Sequence, residues 1–278
     1  MPDRKEITPI LGRLSGFGVL FFAVLVSMVF LTGMSESLAW QGSIQLVAAL
    51  VATLVILRVD GKRGLAAIGL PVRGAFRGVA GGMVLGIVIT VVVLAIAVGA
   101  GGLRYTGDEG TLVEYGATAL WTALVLLVAG TGEEVLVRGY PLTVLLERWG
   151  PGAALLLTSL VFTVLHGANP HVGALGLLNI ALAGLMLGFV RLRTGSLWWA
   201  SGVHAGWNLG TGFVSDLPVS GLDVVDAPLV EVSAGGMAVI TGGDFGLEGG
   251  VAATVGLVLA ILFATRMGAS GGVGAETA

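Results

Sequence analysis

Apolar residues run in eight long stretches along the chain, at about Phe17–Leu31, Ile44–Leu57, Val79–Val98, Ala117–Val137, Ala153–His166, Val172–Val190, Leu197–Val214 and Gly249–Ala264. Stretches this apolar, near the roughly 20 residues a helix needs to span hydrocarbon, predict transmembrane helices. Inside lipid only a helix or a closed barrel satisfies its own backbone. The expected fold is therefore all-α, a polytopic membrane protein with about eight transmembrane helices. The first run has no small-residue cleavage site after it and is read as a span rather than a leader.

The polar segments between the runs then alternate between two sides. Thirteen of the 14 basic residues fall on one side: Arg4, Lys5, Arg13, Arg58, Lys62, Arg63, Arg73, Arg77, Arg138, Arg148, Arg191, Arg193 and Arg266. Only Arg104 lies opposite, among Glu36, Asp108, Glu109, Glu114, Asp216, Asp223, Asp226, Glu231, Asp244 and Glu248. The positive-inside rule then puts both termini in the cytoplasm of a multi-pass cell-membrane protein. The basic 58–77 segment reads as a topology signal that could also rest on anionic headgroups. Residues 1–278 read as a single membrane domain, and 215–250 as an external acidic loop with a turn or two and no chemistry of its own.

Composition strengthens this picture. Hydrophobic residues make up 55% of the chain and charged ones 11%, with a mean hydropathy of +0.98. Soluble domains carry roughly 25% charged residues. The 47 glycines sit within apolar stretches, where small residues let membrane helices approach closely. Gly78, Gly82 and Gly86, Gly184 and Gly188, and Gly202, Gly206 and Gly210 recur at four-residue spacing and are read as packing faces. The absence of cysteine excludes disulfides, thiolate metal sites and cysteine nucleophiles. The lipid bilayer is the expected surrounding, and nucleic acid is not an expected partner.

Chemistry must come from ionisable residues inside the spans, where burial is costly. The fourth run ends with Glu133, Glu134 and Arg138. Glu134 and Arg138 are four apart and share a helix face as an ion pair would. Glu133 points about 100° away and has no partner on its own helix. Phe162 and His166 lie one above the other on the fifth run; alone, Phe162 reads as core and His166 as an interfacial residue. His204 and Asn208 share a face of the seventh run, where interhelical hydrogen bonding is the plainer reading. Asn179 reads as structural. If the fourth helix runs straight to Trp149 and the fifth starts at Pro151, Glu133 and His166 lie roughly 24 Å and 22 Å from that turn. His204 and Asn208 lie at roughly 14 Å and 20 Å, levels compatible with one pocket.

The three elements Glu133-Glu134-Val135-Leu136-Val137-Arg138, Phe162-Thr163-Val164-Leu165-His166 and His204-Ala205-Gly206-Trp207-Asn208 together resemble the CPBP family. These are the CAAX proteases and bacteriocin-processing (Abi) intramembrane endopeptidases. The family pattern is Glu-Glu-x-x-x-Arg, Phe-x-x-x-His and His-x-x-x-Asn on successive helices. Here it spans residues 117–214, the expected catalytic core. The resemblance implies a glutamic-type hydrolase acting on membrane-associated protein or peptide substrates. Glu133 and His166 would activate water, His204 and Asn208 would stabilise the oxyanion, and Glu134 and Arg138 would hold the carboxylate environment.

Peptide hydrolysis needs such a base, a proton donor and oxyanion donors. Desolvation and cationic neighbours act oppositely on a carboxylate, which is how one is poised for both acid and base work. No His-Glu-x-x-His motif and no Gly-x-Ser-x-Gly elbow is present. Glu133, His166 and His204 match a known catalytic zinc set; the resemblance favours a metal-free, cofactor-free reading. Prenylated CAAX proteins are substrates of the eukaryotic branch, whereas this Gly-, Ala- and Val-rich chain looks prokaryotic. Two other readings keep the same residues. One is a non-catalytic membrane scaffold or immunity protein. The other is a proton-coupled transporter, against which stands the lack of a matching second Glu-Glu or His-x-x-x-Asn.

Overall fold

The computed structural model describes residues 4–61 and 64–267, with side chains from residue 10 onward apart from residue 234. Lys62, Arg63 and the side chains of Arg4 and Lys5 lie outside the described residues. All eight apolar runs are helical. In chain order the helices are α1 (Arg4–Thr32), α2 (Leu38–Val59), α3 (Ala75–Gly99), α4 (Leu112–Glu134) and α5 (Tyr140–Leu165). They continue as α6 (Ala174–Thr194), α7 (Leu197–Leu209), the single turn α8 (Ala238–Thr241) and α9 (Val251–Arg266).

Five stretches are long and apolar enough to cross a membrane: Ile10–Thr32, Leu38–Val59, Ala75–Gly99, Leu112–Leu165 and Ala174–Thr194. The fourth holds two of the expected runs. α4 passes through a wide, π-type turn at Val135–Gly139 directly into α5. α5 is then broken at Gly150, whose φ of 77° and ψ of 177° are open to glycine and strained for other residues. Pro151, suited to a first helical turn, starts the second segment. The break thus falls where the depth argument needed it. The seventh run is α7 plus a second π-type turn, Gly210–Val214. α9 is apolar but has only 16 residues. Phe30, Leu120 and Val164 are among many large apolar side chains left on the outside, as expected where the solvent is lipid.

The connecting segments gather at two ends, as their charge predicts. At the basic end Arg13 pairs with Asp60 at 3.2 Å, and the Tyr140 hydroxyl donates to Asp60 at 2.8 Å. The Leu197 amide donates to Gly69 O at 2.7 Å there, and Arg193 donates to Met267 O. At the opposite end Tyr105 donates to Ser215 O at 3.0 Å and Asn169 to Ser220 O at 3.0 Å.

The glycine stripes pack as read. α3 and α7 touch backbone to backbone: a Cβ added at Gly82 would fall 2.5 Å from Trp199 O and 2.9 Å from the Gly202 Cα. On α6, a Cβ at Gly184 would meet Ser159 of α5 at 3.1 Å.

One expectation needs revision. The 215–250 segment is more than a loop with a turn or two. It contains α8, two 3-10 turns and β2 (Val230–Ala234), which pairs antiparallel with β1 (Leu103–Gly107) in the register Leu103↔Ala234 to Gly107↔Val230. It also buries Glu248, at 4% exposure, inside the bundle.

Candidate active site

Helical spacing brings three polar groups together from three helices. Glu133 and Glu134 end α4, His166 caps the C-terminus of α5, and His204 lies midway along α7. Glu134 is fully buried, and its Oε1 accepts from Arg138 Nη1 at 2.9 Å and from His204 Nδ1 at 3.1 Å. Arg138, also fully buried, donates from Nη2 to Gly184 O at 3.2 Å and stands 4.1 Å over the Phe162 ring. A planar guanidinium suits both the carboxylate and the aromatic face. This pair is sealed behind the site, and removing one member strands the other at a cost of roughly 3–5 kcal/mol.

Glu133 faces the other way, with 27% of its side chain exposed. Its Oε2 stands 3.7 Å from His166 Nε2 and 3.8 Å from His204 Nε2. Both imidazoles are oriented from behind. His166 Nδ1–H donates to Phe162 O at 2.8 Å, and His204 Nδ1–H to Glu134. Each Nε2 is thereby turned toward Glu133. The Phe162 ring lies 4.4 Å from that of His166 and 5.8 Å from that of His204, so it seats both. Gly130, one turn before Glu134 on α4, packs against His204, whose Cγ would lie in ordinary contact with an added Cβ at 3.4 Å.

These groups open on a cavity of roughly 490 Å³ lined by Glu133, His166, His204 and Asn208, with mostly apolar walls. Its walls include Phe22 and Leu25 of α1 and Gln41 and Gln45 of α2. Of the six residues singled out from sequence, four face the cavity, and Glu134 and Arg138 stand behind it. Asn179 is structural, donating to Glu248 O at 2.7 Å and Gly250 O at 2.9 Å.

Sequence reasoning missed one wall of the cavity. Val219, Ser220, Leu222, Val224 and Glu248 line the same cavity from the 215–250 segment. Glu248 accepts from the Ser220 amide at 2.6 Å, the Ser220 hydroxyl at 2.7 Å and Trp207 Nε1 at 2.8 Å. The available signal was a carboxylate directly before the last apolar run.

A metal would find donors in Glu133, His166 and His204, and the tethered Nδ1 atoms are the support that ligating imidazoles need. Their spacing is looser than a ligand set. Among the described residues, Asp108, Asp226 and Glu231 are the group whose donor atoms all lie within 4.8 Å of one another, and all three are exposed.

Residues 115–210 match the family model for type II CAAX prenyl endopeptidases, Rce1-like. The matched segment contains all three motifs, and it bears out the CAAX-protease family to which they pointed. No curated protein matches the chain. The apolar helices and the family match together support a multi-pass membrane protein.

Proposed function

We propose, taking that family match as premise, that the chain is an intramembrane endopeptidase that hydrolyses peptide bonds of membrane-associated proteins or peptides. The observation that carries this reading is the convergence of Glu133 with the Nε2 atoms of His166 and His204 at one end of a largely apolar cavity. A water held between Glu133 and His166 loses a proton to this pair as it attacks the scissile carbonyl. Asn208 donates to the oxyanion from its amide, and His204 from Nε2 in its doubly protonated form, with buried Glu134 on Nδ1 as its counter-charge. The proton taken from water then passes to the leaving amine. Glu134 and Arg138 fix the positions of the reacting groups without touching substrate, and Phe162 seats both imidazoles from the cavity wall. Residues 117–214 form the catalytic core, 215–250 covers it from outside, and both termini are cytoplasmic.

The test is turnover of a matched membrane peptide by the purified protein. Glu133→Gln keeps the shape but cannot accept a proton, so cleavage is abolished while substrate still binds. Asn208→Ala loses one oxyanion donor and about 10²–10³ in turnover. Chelators leave the wild type active. Full activity in Glu133→Gln sinks the mechanism, and chelator inhibition reversed by zinc replaces it with a metal-dependent one.

A further inference from the structure

The bundle buries a second guanidinium that the proposed chemistry does not use. Arg191, on the last turns of α6, is 9% exposed. Its Nε is enclosed without a hydrogen-bond partner. Among the described residues its guanidinium makes no ion pair, in contrast to Arg138 on Glu134. A buried cation without a counter-charge is strongly unfavourable. Asp60, at the same end of the bundle, is committed to Arg13 and Tyr140, and Glu147 is exposed.

The guanidinium lies against Gly69, where an added Cβ would fall 2.5 Å from its Cζ. Gly69 has a φ of 84°, a backbone conformation that favours glycine. Its carbonyl accepts from the amide of Leu197, the first residue of α7. Two residues on, Pro71 O accepts from Trp198 Nε1 at 2.8 Å. Gly78, in the first turn of α3, packs on Trp198 and Trp199. The N-termini of α3 and α7 are therefore gathered at this place, and neither has a side-chain cap. Helix N-termini carry partial positive charge. Exposed Arg73 and Arg77 add charge at the rim.

We propose that Arg191 is the centre of a phosphate-binding site at the basic end of the bundle, filled by the headgroup of an anionic phospholipid. The planar fork of arginine matches phosphate oxygens. The site lies at the end of a spanning helix, the level at which headgroups sit. Free phosphate is the competing source of the same chemistry.

The test uses the full chain in nanodiscs of phosphatidylcholine, with or without a minor fraction of phosphatidylglycerol, and reads thermal unfolding and retained lipid by native mass spectrometry. The wild type gains stability with phosphatidylglycerol. Arg191→Met loses that gain and binds the lipid about tenfold more weakly, the loss expected for one charge-assisted contact. In phosphatidylcholine alone Arg191→Met is at least as stable as the wild type, because the stranded charge is gone. Arg191→Lys keeps part of the gain, and Arg73→Gln with Arg77→Gln keeps most of it. If millimolar inorganic phosphate gives the same gain in phosphatidylcholine discs, the site stands with free phosphate as its source. A gain that persists in Arg191→Met overturns the proposal. So does an Arg191→Met protein that is less stable than wild type without anionic lipid, since that means a protein group already compensates the charge. None of these readouts depends on catalysis.

Discussion

Glu133 and Glu134 are neighbours in sequence with opposite surroundings, one facing the cavity and the other enclosed with Arg138 and His204. Glu134→Gln leaves Arg138 without its counter-charge, a loss of about 3–5 kcal/mol, whereas Glu133→Gln replaces a partly exposed group and costs little stability. Thermal unfolding of the two purified variants in detergent should therefore differ by many degrees, and equal midpoints would refute the enclosed pair. The pair was legible because four residues make one helical turn. That His204 bridges both glutamates was not, since it joins α4 to α7 across 70 residues of chain. Phe162 read alone as packing, and its part in seating Arg138 and two imidazoles needed the third dimension.

Among the described helices, α3 and α7 meet backbone to backbone, which holds the His204 helix against the bundle. Gly82→Ala would push a methyl group into the Trp199 carbonyl and the Val203 amide, backbone atoms that cannot rotate away. Overpacking of this kind costs about 1–3 kcal/mol, and turnover should fall with it. Gly18→Ala on α1 meets nothing within 4 Å; it should be neutral or raise stability by roughly 0.5–1 kcal/mol, as expected for removing glycine from a helix. Paired thermal melts check both. The helices were legible because each apolar run is long and continuous. The β1–β2 ribbon was not: each strand has five residues, and the partners are more than 120 positions apart. Glu248 went unread for a related reason, because its partners Ser220 and Trp207 come from other elements.

For the molecule as a whole, the sorting of basic residues predicts that opposite ends of the bundle face opposite compartments. Cysteines placed singly at exposed Thr106 and Asp223 should react with an impermeant reagent from outside intact cells, and one at exposed Val72 only after lysis. Labelling of Val72→Cys from outside would invert the topology. The two ends were legible from charge for most residues; Arg138 and Glu248, counted with the two ends, are instead buried in the bundle, Arg138 on Glu134 and Glu248 on the cavity wall. The wide turn at Val135–Gly139 has a further consequence for everything that follows it. A π-type turn absorbs one extra residue in an otherwise regular helix, so the chain holds a local surplus in its reading frame. Deleting one residue within this turn should let it close to a regular α-helix, with Tyr140, Leu142 and Leu145 still facing the core and the damage confined to Arg138. Deleting Leu127 instead turns every later side chain of the helix by about 100° and should prevent folding. Chains of this kind could therefore differ in length by one residue at this place, and at few others along α4 and α5, without losing the bundle.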